Sequence, residues 1–165
     1  SRVSSNESVN GTGGIAITGS LMIDRSVIGG NRSNPLGSQP IGGISVNFGS
    51  SVTPNHEVIV SNSVISGNVG EITGGIYVSS RYFLMYNTLI ADNIGRYSGG
   101  LTVRSGQEAI IQTSSIMRNV GGGMHLTTTF QNALIEDSTI SSNTSRGLGG
   151  NSTSGKEQRP GCPQC

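Results

Sequence analysis

A short phrase, Asn62-Ser63-Val64-Ile65-Ser66-Gly67-Asn68, together with the Gly74-Gly75-Ile76-Tyr77-Val78 that follows it, is rewritten along almost the whole chain. The Ser/Thr, the Ile and the Asn return as Ser26, Ile28 and Asn31, as Thr88, Ile90 and Asn93, as Ser114, Ile116 and Asn119, and as Ser138, Ile140 and Asn143. The glycine pair returns at 13–14, 42–43, 99–100, 122–123 and 149–150, so successive repeats run from 23 to 32 residues. Self-similarity at such a period marks a solenoid: one repeat cannot bury its apolar face alone, and stacking builds a continuous core.

Within each repeat the apolar residues alternate. Ile15 and Ile17, Ile44 and Val46, Ile76 and Val78, Leu101 and Val103, and Met124 and Leu126 follow the glycine pairs. Side chains two apart share one face of a strand, so these five pairs point inward and stack coil on coil. A second strand supplies Leu21 and Ile23, Val58 and Val60, Phe83 and Met85, Ala109 and Ile111, and Ala133 and Ile135. Beyond a bend at the Ser/Thr, Ile28, Ile65, Ile90, Ile116 and Ile140 form a third column. The expected fold is all-β: a right-handed, single-stranded parallel β-helix of about five coils, spaced ~4.8 Å apart. Residues 1–12 read as the tail of a preceding coil and a loop, 13–150 as the β-helix, and 151–165 as a linker leading to a Cys-rich segment. Two stretches, 32–41 and 47–56, lengthen their coils and read as surface loops.

Charged residues make up only 12% of the 165 and the formal net charge is +1, so no electrostatic footprint for nucleic acid exists. No apolar run approaches the ~18 residues of a membrane span.

The asparagines at 31, 68, 93, 119 and 143 admit two accounts. One is a ladder of inward amides, each bonded to the coils on either side. The other is a corner residue chosen for left-handed backbone angles. Both are structural. A different column is harder to leave in water: between the inward positions of the second strand stand Met22, Ile59, Leu84, Ile110 and Leu134. Asp24, Ser61, Gln112 and Glu136 flank it on one side, and Ser20, Glu57, Glu108 and Asn132 on the other. Stacking would draw the five aliphatics into a polar-rimmed stripe ~20 Å long, which is expected to pack against another domain, a further copy of the chain, or a covering loop.

The Gly-Gly-Ile opening and the closing Ser/Thr-x-Ile-x-x-Asn resemble the parallel β-helix repeats of polymorphic-outer-membrane-protein-like surface proteins, over residues 13–150. Those repeats usually carry Phe where this chain has Ile. The terminal Cys162-Pro163-Gln164-Cys165 is similar to the opening of an ephrin-receptor-like, Cys-rich repeat. That likeness implies an oxidising compartment, disulfides at Cys162 and Cys165, and an extracellular or cell-surface location. Among the Asn-x-Ser/Thr sequons, Asn10 and Asn151 lie in expected loops and are the candidates for glycosylation.

Parallel β-helices include polysaccharide lyases and glycosidases, whose chemistry requires clustered carboxylates or a Ca²⁺ site. Glu57 and Glu108 are aligned but two coils apart, with Tyr82 between them; Asp24 and Glu136 stand farther apart. Arg81 and Arg104 are near on successive coils without a carboxylate cluster. His56 and His125 read as lone surface histidines, and Tyr82 and Tyr86 as outward rings. The expectation is a non-enzymatic structural or adhesive stalk segment of a large extracellular surface or filament glycoprotein. It needs no cofactor or metal and acts through side-by-side protein contacts, with glycans as further partners. The competing reading is a carbohydrate-active or carbohydrate-binding β-helix.

Overall fold

The computed structural model describes residues 1–34, 40–47, 56–104, 107–127, 132–145 and 151–153, with the backbone alone for 127 and 151–153. It is a parallel β-solenoid of about five coils, with no helix among the described residues. Strands Ile15–Thr18, Ile44–Asn47, Ile76–Ser79, Leu101–Arg104, Met124–Thr127 and Asn151–Thr153 pair in that order as the first sheet. The second sheet stacks Leu21–Asp24, Glu57–Ser61, Tyr82–Tyr86, Glu108–Gln112 and Asn132–Glu136. The third stacks Arg2–Ser4, Val27–Gly29, Val64–Ser66, Leu89–Ala91, Ser115–Met117 and Thr139–Ser141. Every strand pair is parallel, and each residue faces its equivalent one coil on: Ile44, Ile76, Leu101 and Met124, or Ile28, Ile65, Ile90, Ile116 and Ile140.

The alternating apolar positions become one continuous core. Val58, Val60, Ile65, Ile76, Val78, Met85, Ile90, Leu101 and Val103 are wholly buried within it, and Val3, Ile15, Leu21 and Ile140 pack at its ends. A β-branched residue keeps few rotamers and suits a pleated surface, so identical Ile columns stack with little entropic loss. Burial fades at Asn132–Glu136, the last strand of the second sheet among the described residues, where Ile135 is 40% exposed and Ala133 is exposed as well.

The glycine pairs answer a demand for close approach. A Cβ on Gly43 would run into the Gly75 carbonyl oxygen and sit 3.2 Å from Asn68 Nδ2; one on Gly75 would strike the Gly100 carbonyl oxygen in the same way. The first sheet therefore begins where two backbones and a side-chain amide crowd together.

The corner between the second and third sheets carries a register device of its own. Arg25, Asn62, Asn87, Thr113 and Asp137 take positive φ there, between 45° and 49°. The Ser or Thr that follows each of them locks the turn. Its hydroxyl donates to the carbonyl two residues back, as in Ser26 to Asp24 O (2.7 Å), Thr88 to Tyr86 O (3.0 Å) and Ser114 to Gln112 O (2.8 Å). The same oxygen accepts the backbone N–H of its counterpart one coil back: Ser26 N to Ser63 Oγ (3.1 Å), Thr88 N to Ser114 Oγ (3.2 Å), Ser114 N to Ser138 Oγ (3.1 Å).

Two sequence expectations are corrected. Ser61, taken as a polar flank facing solvent, is buried, and its hydroxyl lies 2.8 Å from Asp24 Oδ1 on the preceding coil. The stretch 32–41 is not wholly a surface loop. Arg32–Ser33 pairs with Glu7–Ser8, and Ile41 is buried and bridges to Thr73.

Candidate functional site

The asparagine column is a hydrogen-bonded ladder. Nδ2 of Asn31 donates to Oδ1 of Asn68 (3.0 Å), Asn68 to Asn93 (2.9 Å), Asn93 to Asn119 (3.0 Å), and Asn119 to Asn143 (3.0 Å). The second Nδ2 proton of these four goes back to a carbonyl of the preceding coil, Val3, Ile28, Ile65 and Ile90 in turn, and Asn143 Nδ2 donates likewise to Ile116 O. Each Oδ1 also accepts the backbone N–H of the asparagine one coil back, at 2.9–3.1 Å. In Asn31, Asn68, Asn93 and Asn119 both amide protons and both lone pairs are thus used, which is what a wholly buried amide requires. Asn6 extends the ladder by one rung, donating to Asn31 Oδ1 at 2.9 Å. The left-handed backbone falls one residue earlier, at Ser5, Gly30, Gly67, Asp92, Arg118 and Ser142, so the turn and the ladder are carried by neighbouring residues. With Asn31 wholly buried within the ladder, its sequon cannot hold a glycan in the fold. Asn10 is exposed. The side chain of Asn151, and all of Cys162 and Cys165, lie outside the described residues.

The second sheet brings Met22, Ile59, Leu84, Ile110 and Leu134 into one register column on its outer face. Met22 is 70% exposed and Leu134 45%, while the three between them are half-buried. Their polar neighbours hold fixed positions. Asp24 accepts from Asn62 Nδ2 (2.7 Å), Ser61 Oγ (2.8 Å) and Arg25 Nε (2.7 Å). These donors, Asn62 foremost, hold its carboxyl at about 2, below the ordinary 3.8.

The same face carries the carboxylates considered for catalysis. Glu57 and Glu108 pair with Tyr82 from opposite sides, two strand spacings or ~10 Å apart. The Tyr82 hydroxyl is engaged with Gln107 Oε1 at 2.9 Å. Among the described residues no group of three or more His, Cys, Asp or Glu converges as a metal site.

A second feature lies over the first sheet and has no counterpart in the sequence reading. The outward column there is Ala16, Ser45, Tyr77, Thr102 and His125, and Ser45, Tyr77 and Thr102 are buried although they point away from the core. The segments preceding the glycine pairs fold alongside them. Tyr97 N and Ser98 N both donate to Ile72 O, at 3.1 and 3.2 Å, and Arg96 N donates to Glu71 O at 2.9 Å. Between these segments and the strands lies a cleft of about 270 Å³ lined by Ile72, Tyr77, Tyr97, Thr102, Arg104 and His125. Burial, and secondarily the positive charge of Arg104, hold the His125 imidazole below its ordinary 6.5, so it is neutral at neutral pH. His125 is therefore half-buried in a cleft instead of standing alone on the surface. The signal in the sequence was the alternation itself: Tyr77, Thr102 and His125 occupy the same outward position in three successive coils.

Among the described residues no helix is long and apolar enough to cross a membrane. No protein-family model matches the chain, and no curated protein or solved structure matches it either.

Proposed function

We propose that this solenoid is a structural or adhesive stalk segment that works by lateral protein contact through the outer face of its second sheet. The observation that carries the reading is the unbroken register of Met22, Ile59, Leu84, Ile110 and Leu134, exposed at both ends and rimmed by polar side chains. Full burial of an exposed large aliphatic is worth roughly 1.5–3 kcal/mol, and a docked surface recovers the share of it that these partly exposed side chains still forgo. A second copy of the chain, offering the same stripe, is the occupant proposed. The rigidity expected of a stalk has a physical source in the asparagine ladder, which ties every coil to the next. The resemblance of the repeat to polymorphic-outer-membrane-protein-like surface proteins favours an extracellular or cell-surface setting, with glycans at Asn10 and Asn151 and disulfides at Cys162 and Cys165.

The test is sedimentation velocity on the wild-type chain and on the Leu84→Asp, Ile110→Asp double variant. Both substituted side chains point away from the core, so the variant should retain the β-sheet circular dichroism of the wild type. Self-association that is abolished in the variant supports the proposal. A wild type that stays monomeric at all concentrations, or a variant that associates equally well, overturns it.

A further inference from the structure

We propose that the cleft over the first sheet is a binding site for a single carboxylated sugar ring, a uronate-type pyranose. This goes beyond the stalk reading and does not rest on it, because the cleft and the apolar stripe lie on different sheets. The cleft has an aromatic floor and wall. Tyr77 belongs to the sheet's buried outward column, while Tyr97 stands at the rim, 49% exposed. An exposed aromatic ring is normally free to move, but Tyr97 is held in place. Its own N–H is bonded to Ile72 O at 3.1 Å, the Arg96 guanidinium sits 5.7 Å from its ring centroid, and Arg96 is tied in turn to Glu71 at 3.3 Å. A pre-positioned aromatic face offers a surface for the C–H groups of a pyranose at little entropic cost.

The polar groups define the rest of the ligand. Thr102 is already bonded to Thr73 Oγ1 at 2.9 Å and serves as floor. His125, neutral, has one nitrogen that donates and one that accepts, which suits vicinal hydroxyls. Arg104 is exposed at the rim and forms no ion pair among the described residues, whereas Arg25, Arg96 and Arg118 each pair with a carboxylate. A guanidinium fork facing an aromatic cleft is the geometry that reads a carboxylate bidentately. A neutral sugar leaves that fork without a partner, and a simple carboxylate leaves the tyrosines uncovered. At about 270 Å³ the cleft lies just below the ~300–1,000 Å³ of sites for drug-sized ligands, which fits one ring and not a buried oligosaccharide.

The experiment titrates the full chain separately with D-glucuronate, D-glucose and acetate, following the tyrosine and histidine ring resonances by NMR. The expected result is saturable, millimolar binding of glucuronate, preferred about tenfold over both glucose and acetate, as one charged hydrogen-bonded pair would give. Shifts should centre on Tyr77, Tyr97 and His125. Arg104→Gln, at an exposed position, should bring glucuronate down to the affinity of glucose, and Tyr97→Ala should weaken both sugars. The thermal midpoint of each variant reports that it has folded. Three results would overturn the proposal: no saturable binding of glucuronate by the wild type, equal affinity for acetate and glucuronate, or undiminished glucuronate binding in a folded Arg104→Gln.

Discussion

Ile111 and Ile135 are the same residue in the same inward column of the second sheet, paired across one coil, yet one is 1% exposed and the other 40%. Asn119 and Asn143 repeat the contrast in the ladder. Asn119 is wholly buried between two asparagines, whereas Asn143 is only partly buried and, among the described residues, has a ladder partner on one side. Sequence pattern assigns a residue to a face; a stacked neighbour on each side is what removes it from water. In a solenoid, therefore, the worth of a residue depends on its coil number as much as on its type.

The sharpest way to break that comparison is truncation within the column. Ile111→Ala should destabilise the fold by about 2–5 kcal/mol, as deletion of a fully buried aliphatic does. Ile135→Ala, already in contact with water, should cost under about 1 kcal/mol. Urea titrations of the two variants measure the difference, and equal losses would mean that burial along the stack is uniform.

The ladder gives a smaller contrast of the same kind. Asn93→Ala removes the acceptor for Asn68 N and Nδ2 and the donor to Asn119 Oδ1 and Ile65 O. Each buried group left without a partner costs about 1–3 kcal/mol, reduced where the coil relaxes. Asn143→Ala takes the acceptor from Asn119 N and Nδ2 and the donor from Ile116 O, fewer bonds at a less buried position, and should cost less in the same titration. Parity between the two would leave the asparagines a purely local turn role.

Much of this was readable in the amino-acid sequence, for a physical reason. Period-two alternation fixes which side chains point inward, so Ile65, Val78 and Met85 could be placed in the core from spacing alone. The asparagine column was legible because no other residue replaced it in five coils. Ser61 was not. Its outward register is right, but it is buried and hydrogen-bonded to Asp24 on the coil before, a neighbour 37 residues away. The cleft was invisible for the same kind of reason. Tyr97 shares a cleft with Tyr77 because the segments before two glycine pairs stack through Ile72 O, and no local pattern announces that. The Ser/Thr corner ladder lay in plain view at 26, 63, 88, 114 and 138, recognisable as a bend but not as a bonded column.

The smallest expected effect is a pH dependence at the edge of the stripe. The folded-state pKa of Asp24, at about 2, lies below its ordinary value of 3.8. The stability it lends is present above the unfolded value and is lost as pH falls from about 4 through about 2. Acid unfolding of Asp24→Asn should lack that component, and its curve should differ in shape from the wild type only within this window. Superimposable curves would show that the Asn62, Ser61 and Arg25 bonds do not persist in solution.

The most direct test of the stacked-coil account is hydrogen exchange at the side-chain amides of the ladder, read by ¹⁵N-resolved NMR. If the coils share one core, the Nδ2 protons of Asn68, Asn93 and Asn119 should exchange only through opening events close in free energy to global unfolding. Those of Asn6, which is exposed, should exchange far faster, with Asn143 between. Rapid exchange at Asn93 equal to that at Asn6 would contradict the account.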